Sequence, residues 1–347
     1  MTELGGFLIV FLLAFGTTLA LVPLAMHLSH RWGICSTPGG RRRETRPMPK
    51  FGGLAIYGGF MVALVAAQAL PVPRGDPYEI IRLIGLMLGS TFTFIFWTLD
   101  DLFDFGWLPQ YVGQLIASGI AIFFLIYIEF FNNPLTGTQT DPFPFAVTVV
   151  ISLLWLGVMM NTVNFLDGVD GLTAGVTVIA CAILFLNSAF FVQPAQTSIS
   201  LLPLALMGAA LAFLLHNIAP ARIYLGGGAP LLGYLLGTLS IIGGAKMATI
   251  LLVMGLPLMD FAWQVVNRLQ RGRNPLHGDR GHLHFRLLDS GLLTERQIVL
   301  LYYTFCACFG ILTLMLESRL YKFMAFGVMV VLVMIGFGLV MRVSKVD

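Results

Sequence analysis

Three short polar stretches of this chain carry residue types that could do chemistry. The first is Trp97-Thr-Leu-Asp-Asp-Leu-Phe-Asp104, in which Asp100 and Asp101 close an apolar run. Asp100 and Asp104 are four apart, so on a helix they would share a face. Clustered carboxylates at a membrane boundary repel one another and lose hydration. A bound Mg2+ or a cationic partner offsets both effects, and one carboxylate can stay ionised on the metal while another takes a proton. The second stretch is Asn161-Thr-Val-Asn-Phe-Leu-Asp-Gly-Val-Asp-Gly171. Asn161, Asn164 and Asp167 recur every three residues and can line one face of a helix end. Gly168 and Gly171 let the backbone turn closely round a ligand. With Asp170, these amides and carboxylates suit a nucleotide base, a ribose or hydrated Mg2+. The third stretch runs from Asn274 to Arg286 and holds His277, Asp279, Arg280, His282 and His284. Arg and protonated His suit a diphosphate. The His-x-His pair also fits zinc, but no cysteine stands near to complete such a site.

A fourth segment, Arg41 to Lys50 followed by Phe51-Gly-Gly53, is strongly basic. The positive-inside rule and attraction to anionic headgroups account for most of it. One cation within it, Lys50, is a candidate for contact with a lipid phosphate. Plainer accounts exist for the acidic stretches as well: a solvated loop for the first and a capped helix end for the second. Three acids within five residues, in a chain with only 11% charged residues, favour a site over a loop.

That low charge, beside 57% hydrophobic residues, means that water is not the main solvent of the chain. Hydropathy predicts an all-α integral membrane protein of about eleven spans, near residues 4–28, 51–70, 81–99, 111–128, 145–160, 172–192, 199–215, 229–242, 245–261, 297–316 and 321–341. The span at 229–242 is short, and Gly243-Gly244 after it suggests a tight turn. The run 4–28 has no Lys or Arg before it and is too long for a signal-peptide core, so it reads as the first span. No repeat and no separate soluble domain is visible, so residues 1–347 read as a single polytopic domain. If the N-terminus is outside and the C-terminus cytoplasmic, all but five of the 20 Lys and Arg face the cytoplasm. The five exceptions are Arg74, Arg82, Lys246, Arg319 and Lys322. Both acidic clusters and all six histidines fall at or near the same cytoplasmic side, although only basic residues set the orientation. The four cysteines form no C-x-x-C pair and read as inert thiols.

Taken in order, these motifs resemble those of the polyprenyl-phosphate N-acetylhexosamine-1-phosphate transferases, of the glycosyl transferase family 4 type. Asn161–Leu172, NTVNFLDGVDGL, resembles the family signature. His277–Leu292, HGDRGHLHFRLLDSGL, resembles its histidine motif. Asp100-Asp101 followed by Gly113-Gln114 matches its paired aspartates, and Arg46–Ala55 its N-terminal motif. The His-x-His form is most similar to the undecaprenyl-phosphate GlcNAc-1-phosphate branch, which begins cell-envelope polysaccharides.

The resemblance implies a Mg2+-dependent enzyme of the bacterial inner membrane, with Mn2+ as a substitute ion. A UDP-N-acetylhexosamine would give its sugar-1-phosphate to undecaprenyl phosphate, leaving UMP and a lipid-diphosphate sugar. It implies that Asp100, Asp101 and Asp167 hold the metal or activate the lipid phosphate. Asn161, Asn164 and Asp170 would line the nucleotide pocket. His282 and His284, with Arg280, would face the diphosphate or the sugar, and Lys50 the lipid phosphate. No nucleic-acid partner is expected, and a homodimer or larger membrane assembly stays open.

Three positions depart from the family pattern. Gly227, in Tyr224-Leu-Gly-Gly-Gly-Ala-Pro230, stands where the family has a metal-binding Asp. Phe285 replaces a histidine, and Gln110 stands where a basic residue is usual. They motivate a second expectation, a non-catalytic relative that binds lipid or serves as a subunit of a membrane complex. A transporter ranks last, because the acids cluster at one membrane face rather than at mid-depth.

Overall fold

The computed structural model describes residues 3–36, 47–242, 246–272 and 280–343. Arg41, Arg42, Arg43, Arg46, Gly243, Gly244, His277 and Asp279 lie outside them. The fold is helical, as the long apolar runs require: a backbone in lipid must satisfy its own hydrogen bonds. The first helices are α1 (Glu3–Trp32), α2 (Gly52–Gln68), α3 (Glu79–Phe103), α4 (Trp107–Phe123), α5 (Phe145–Leu166) and α6 (Leu172–Leu186). After a π-turn at Asn187–Phe191 come α7 (Thr197–Asn217), α8 (Gly228–Ile241), α9 (Met247–Val253) and α10 (Gly255–Gln270). The chain closes with α11 (Leu283–Asp289), α12 (Glu295–Met315) and α13 (Arg319–Val343). A two-stranded ribbon, β1 (Cys35–Ser36) with β2 (Met48–Pro49), brings the chain back from α1 to α2.

Seven of these helices are long and apolar enough to cross a membrane, which makes the chain a multi-pass membrane protein. The expected span at 245–261 is instead a pair, α9 and α10, bent by 79°. Gly255 and Pro257 sit at the bend, where a freed backbone and a missing N–H allow the break. The expected spans at 51–70 and 229–242 are helices of 17 and 14 residues, apolar but short.

Helix α8 is the centre of the bundle. Every residue from Gly228 to Ser240 is buried, and α2, α3, α5, α6 and α9 pack around it. Helix α7 is nearly as enclosed and packs on α1, α2 and α6. By contrast α13 turns Val328, Val331, Leu332 and Ile335 outward, as a lipid-facing helix does. One hydrophobic cluster runs from Phe7 to Phe337. The up-and-down course brings the C-terminal ends of α1, α3, α5, α7 and α10 together with the N-terminal ends of α2, α4, α6, α8 and α12. The candidate residues that the structure describes lie at or near that shared end.

Candidate active site

The site begins with two chain segments locked side by side. Tyr224 N–H donates to the Pro49 carbonyl at 2.8 Å, and the N–H groups of Gly52 and Gly53 donate to Tyr224 and Leu225 at 3.0 Å each. This ladder fixes Lys50, just before α2, against the turn that leads into α8. Asp101, in the last turn of α3, meets both segments. Its Oδ1 lies 3.1 Å from Lys50 Nζ, and its Oδ2 accepts the Gly227 N–H at 2.6 Å. The turn that presents this amide needs Gly226, whose φ is +56°. A Cβ there would fall on the Lys50 carbonyl and lie 2.5 Å from Asp101 Oδ2.

Asp100 points elsewhere. Gln110 Nε2 lies 3.1 and 3.2 Å from its two carboxylate oxygens and also donates to the Phe105 carbonyl. Asp104 stays close enough for its charge to act on Asp100, although it is not a helical residue. Helix α3 ends at Phe103, and Asp104 is its left-handed cap at φ +50°. The α5–α6 turn supplies the third acid. Asp167 caps α5 and stands near enough to Asp101 for their charges to interact.

The other half of the site is a buried histidine cluster. Asp260, 3% exposed on α10, accepts from His282 Nδ1 at 3.1 Å and from the Leu283 N–H at 2.9 Å. That bond sets the tautomer: with Nδ1–H given to Asp260, the His282 Nε2 is an acceptor, and Arg268 Nη2 sits 3.5 Å from it. Phe165 stacks on His282 at 4.9 Å, and Arg268 lies 5.4 Å over the same Phe165 ring. His284 Nδ1 lies 3.9 Å from Asp260, and the His284 ring packs on Phe285 at 4.4 Å. The two halves join at Gly168, where a Cβ would stand 2.5 Å from His284 Nε2 and 2.6 Å from Phe285 Cζ. Only a glycine after Asp167 lets the histidine ring come so close.

Other expected residues have different partners. Asn161 exchanges amide bonds with Gln114 at 2.8 and 3.2 Å and donates to the Gly157 carbonyl, tying α5 to α4. Asn164, one turn nearer the site end, is half-buried. Asp170 accepts the Ala221 N–H at 2.8 Å, and its own N–H donates to Glu295, so it braces the turn after α7 against α12. Arg280 forms a two-pronged ion pair with Asp289 at 2.6 and 3.1 Å and lies 4.4 Å over the Phe285 ring. This couples Arg280 to α11, behind the histidines.

Sequence reasoning missed Asp260, Gln264 and Arg268. Their signal was present: polar residues at spacings of four, each buried, with Asp260 inside an apolar run. Asp260 is buried and holds His282 and the start of α11 in place. We expect Asp260→Asn to lower kcat about 10- to 100-fold while the fold survives. A shifted pH profile with an unchanged melting temperature would mark a positioning role; an unchanged kcat would refute it.

Among the described residues, no three His, Cys, Asp or Glu side chains converge into a complete metal cage. The acids present are hard oxygen donors at a solvent-facing end. They fit Mg2+, which takes one or two carboxylates and completes its shell with water and substrate phosphates.

A multi-pass membrane fold with acids and buried histidines at one bundle end defines the class. Residues 83–244 match the family model described as Glycosyl transferase family 4. That match spans a little under half of the chain and covers the paired aspartates, the α5–α6 turn and the glycine turn before α8. The chain is 27% identical to a Bacillus subtilis protein named "Probable undecaprenyl-phosphate N-acetylglucosaminyl 1-phosphate transferase", over 89% of this chain and 85% of the relative. It is 29% identical to the decaprenyl-phosphate N-acetylglucosaminephosphotransferase of Mycolicibacterium smegmatis, over 79% of this chain and 73% of that one. The undecaprenyl-phosphate alpha-N-acetylglucosaminyl 1-phosphate transferase of Escherichia coli is 23% identical, over 82% and 77%.

Proposed function

We propose that this protein transfers N-acetylglucosamine-1-phosphate from UDP-GlcNAc to a polyprenyl phosphate, undecaprenyl phosphate in a bacterial inner membrane. The observation that carries the reading is the Lys50–Asp101–Gly227 lock with Asp167 beside it, in a chain similar to glycosyl transferase family 4. In this reading the site end faces the cytoplasm, where a soluble nucleotide sugar meets a lipid phosphate at the membrane surface. The bias of Lys and Arg to that end supports the orientation.

Phosphoryl transfer depends on positioning and charge neutralisation more than on covalent chemistry by the protein. Lys50 attracts the lipid phosphate to the mouth of the site. Asp101, held by Lys50 and the Gly227 amide, takes the proton from that phosphate. Asp167, near Asp101, would hold Mg2+ with water and substrate oxygens, Asp100 standing next along α3, and the ion would supply charge neutralisation for the diphosphate. His282, anchored on Asp260 through Nδ1, positions Arg268 for the diphosphate charge, and Asn164 faces the nucleotide.

UMP release from UDP-GlcNAc, with undecaprenyl phosphate in detergent, tests the reading. Release should require the lipid, stop with EDTA and return with Mg2+. Release no greater than that of an Asp167→Asn control, across several UDP-sugars, would sink it.

A second reading, the non-catalytic subunit, has Gly227, Phe285 and Gln110 in its favour. Each of these nevertheless contacts a site residue: Gly227 holds Asp101, Gln110 holds Asp100, and Phe285 packs on His284. This favours the transferase, and the same assay separates the two.

A further inference from the structure

A cavity of about 950 Å3 opens at the end of the bundle opposite the acids and histidines. It lies between the α4–α5 loop, the end of α6, α9, the end of α12 and the start of α13. Four of the five Lys and Arg excluded from the basic end line it: Arg82, Lys246, Arg319 and Lys322. In so charge-poor a chain, their gathering round one cavity is a local excess of positive charge.

Only Arg82 is neutralised, through an ion pair with Asp76. Among the described residues, Lys246, Arg319 and Lys322 have no ion-paired carboxylate. Lys246 is 4% exposed, and its Nζ donates to the neutral Ser188 hydroxyl at 2.6 Å. Arg319 donates to the Gly137 carbonyl. Arg319 and Lys322 stand in the first turn of α13, close enough to repel each other, where the helix dipole also disfavours cations. Two carboxylates line the cavity: Glu129 is half-buried and Glu317 exposed, so the lining keeps a positive balance. The rest is largely apolar, with Phe323, Phe326 and Leu252 among its walls. A buried cation without a counter-ion is costly, and an anion placed among these three would relieve it.

We propose that this cavity is a second lipid site, which takes the phosphate headgroup of an anionic membrane lipid with its chains along the apolar wall. Lys246 grips the phosphate from the inside, and Lys322 and Arg319 from the rim. The site is separate from the acid and histidine pocket, and the inference does not rest on the transferase reading.

The test is native mass spectrometry of the full chain in neutral detergent. The probes are dioleoyl phosphatidylglycerol, dioleoyl phosphatidylcholine and inorganic phosphate. Phosphatidylglycerol should be retained about tenfold more tightly than phosphatidylcholine. Most of that preference should vanish in Lys246→Gln/Lys322→Gln and persist in Lys246→Arg. The basic segment near Lys50 also attracts anionic lipid, so dependence on these two lysines is the deciding result. Equal retention of the two lipids would overturn the proposal, as would an unchanged preference in the double variant. Inorganic phosphate bound as tightly, with the same lysine dependence, would also overturn it by making this a free-anion site. If the double variant fails to fold, Lys322→Gln, at a half-buried rim position, carries the same comparison.

Discussion

Asp101→Ala should lower the kcat of UMP release about 10^2- to 10^4-fold, the range over which a positioned acid–base group acts. The Asp101 carboxylate is held from both sides. Lys50 fixes one oxygen and the Gly227 amide the other, from segments that the Pro49–Tyr224 ladder joins. Removing the carboxylate leaves Lys50 unpaired there and the amide without its acceptor. The charge pattern that would receive the lipid phosphate is then lost. Asp101→Asn should retain the amide contact and the fold but not the turnover, so comparing the two variants separates chemistry from packing. Wild-type kcat in Asp101→Asn would remove Asp101 from the mechanism.

The second large effect concerns Gly227. By family pattern, Gly227→Asp would restore a missing metal ligand and raise activity. The structure predicts the reverse. A Cβ at Gly227 would stand 2.7 Å from the Trp97 backbone carbon, its carbonyl oxygen and its Cβ. Opening that space moves the turn that presents the Gly227 amide to Asp101, and a third acid enters beside Asp101 and Asp167. We expect a loss of about 1–3 kcal/mol of stability, the usual cost of overpacking, together with reduced UMP release. A falling melting temperature alongside falling turnover would bear this out; a rise in Mg2+-dependent release would overturn it. The glycine is thus the partner that this arrangement of Asp101 requires.

Much of the fold was legible because lipid solvation acts on each residue's transfer free energy, and those energies add along the chain. Most of the expected apolar runs are single helices within a few residues at their ends, whereas the run 245–261 is a bent pair that extends to Gln270. The break between α9 and α10 was not foreseen, since hydropathy is blind to backbone direction. At the site, the acidic and histidine motifs were found by residue type and spacing. Asp104 is the cap of α3 rather than part of it, which spacing alone does not reveal, because a spacing rule assumes that the helix continues.

The sequence by itself therefore determined that this is a helical membrane protein, that its two aspartate clusters and its histidine motif belong to one end, and which family those motifs resemble. Only the tertiary structure decided which of those groups meet. It pairs Lys50 with Asp101, gives Asp260 to His282 and turns Arg280 onto Asp289. It also gathers the few basic residues of the opposite end around one cavity. The reason is physical. Burial follows local composition, whereas ion pairs and amide contacts depend on helix separations of a few ångströms between segments far apart in the chain.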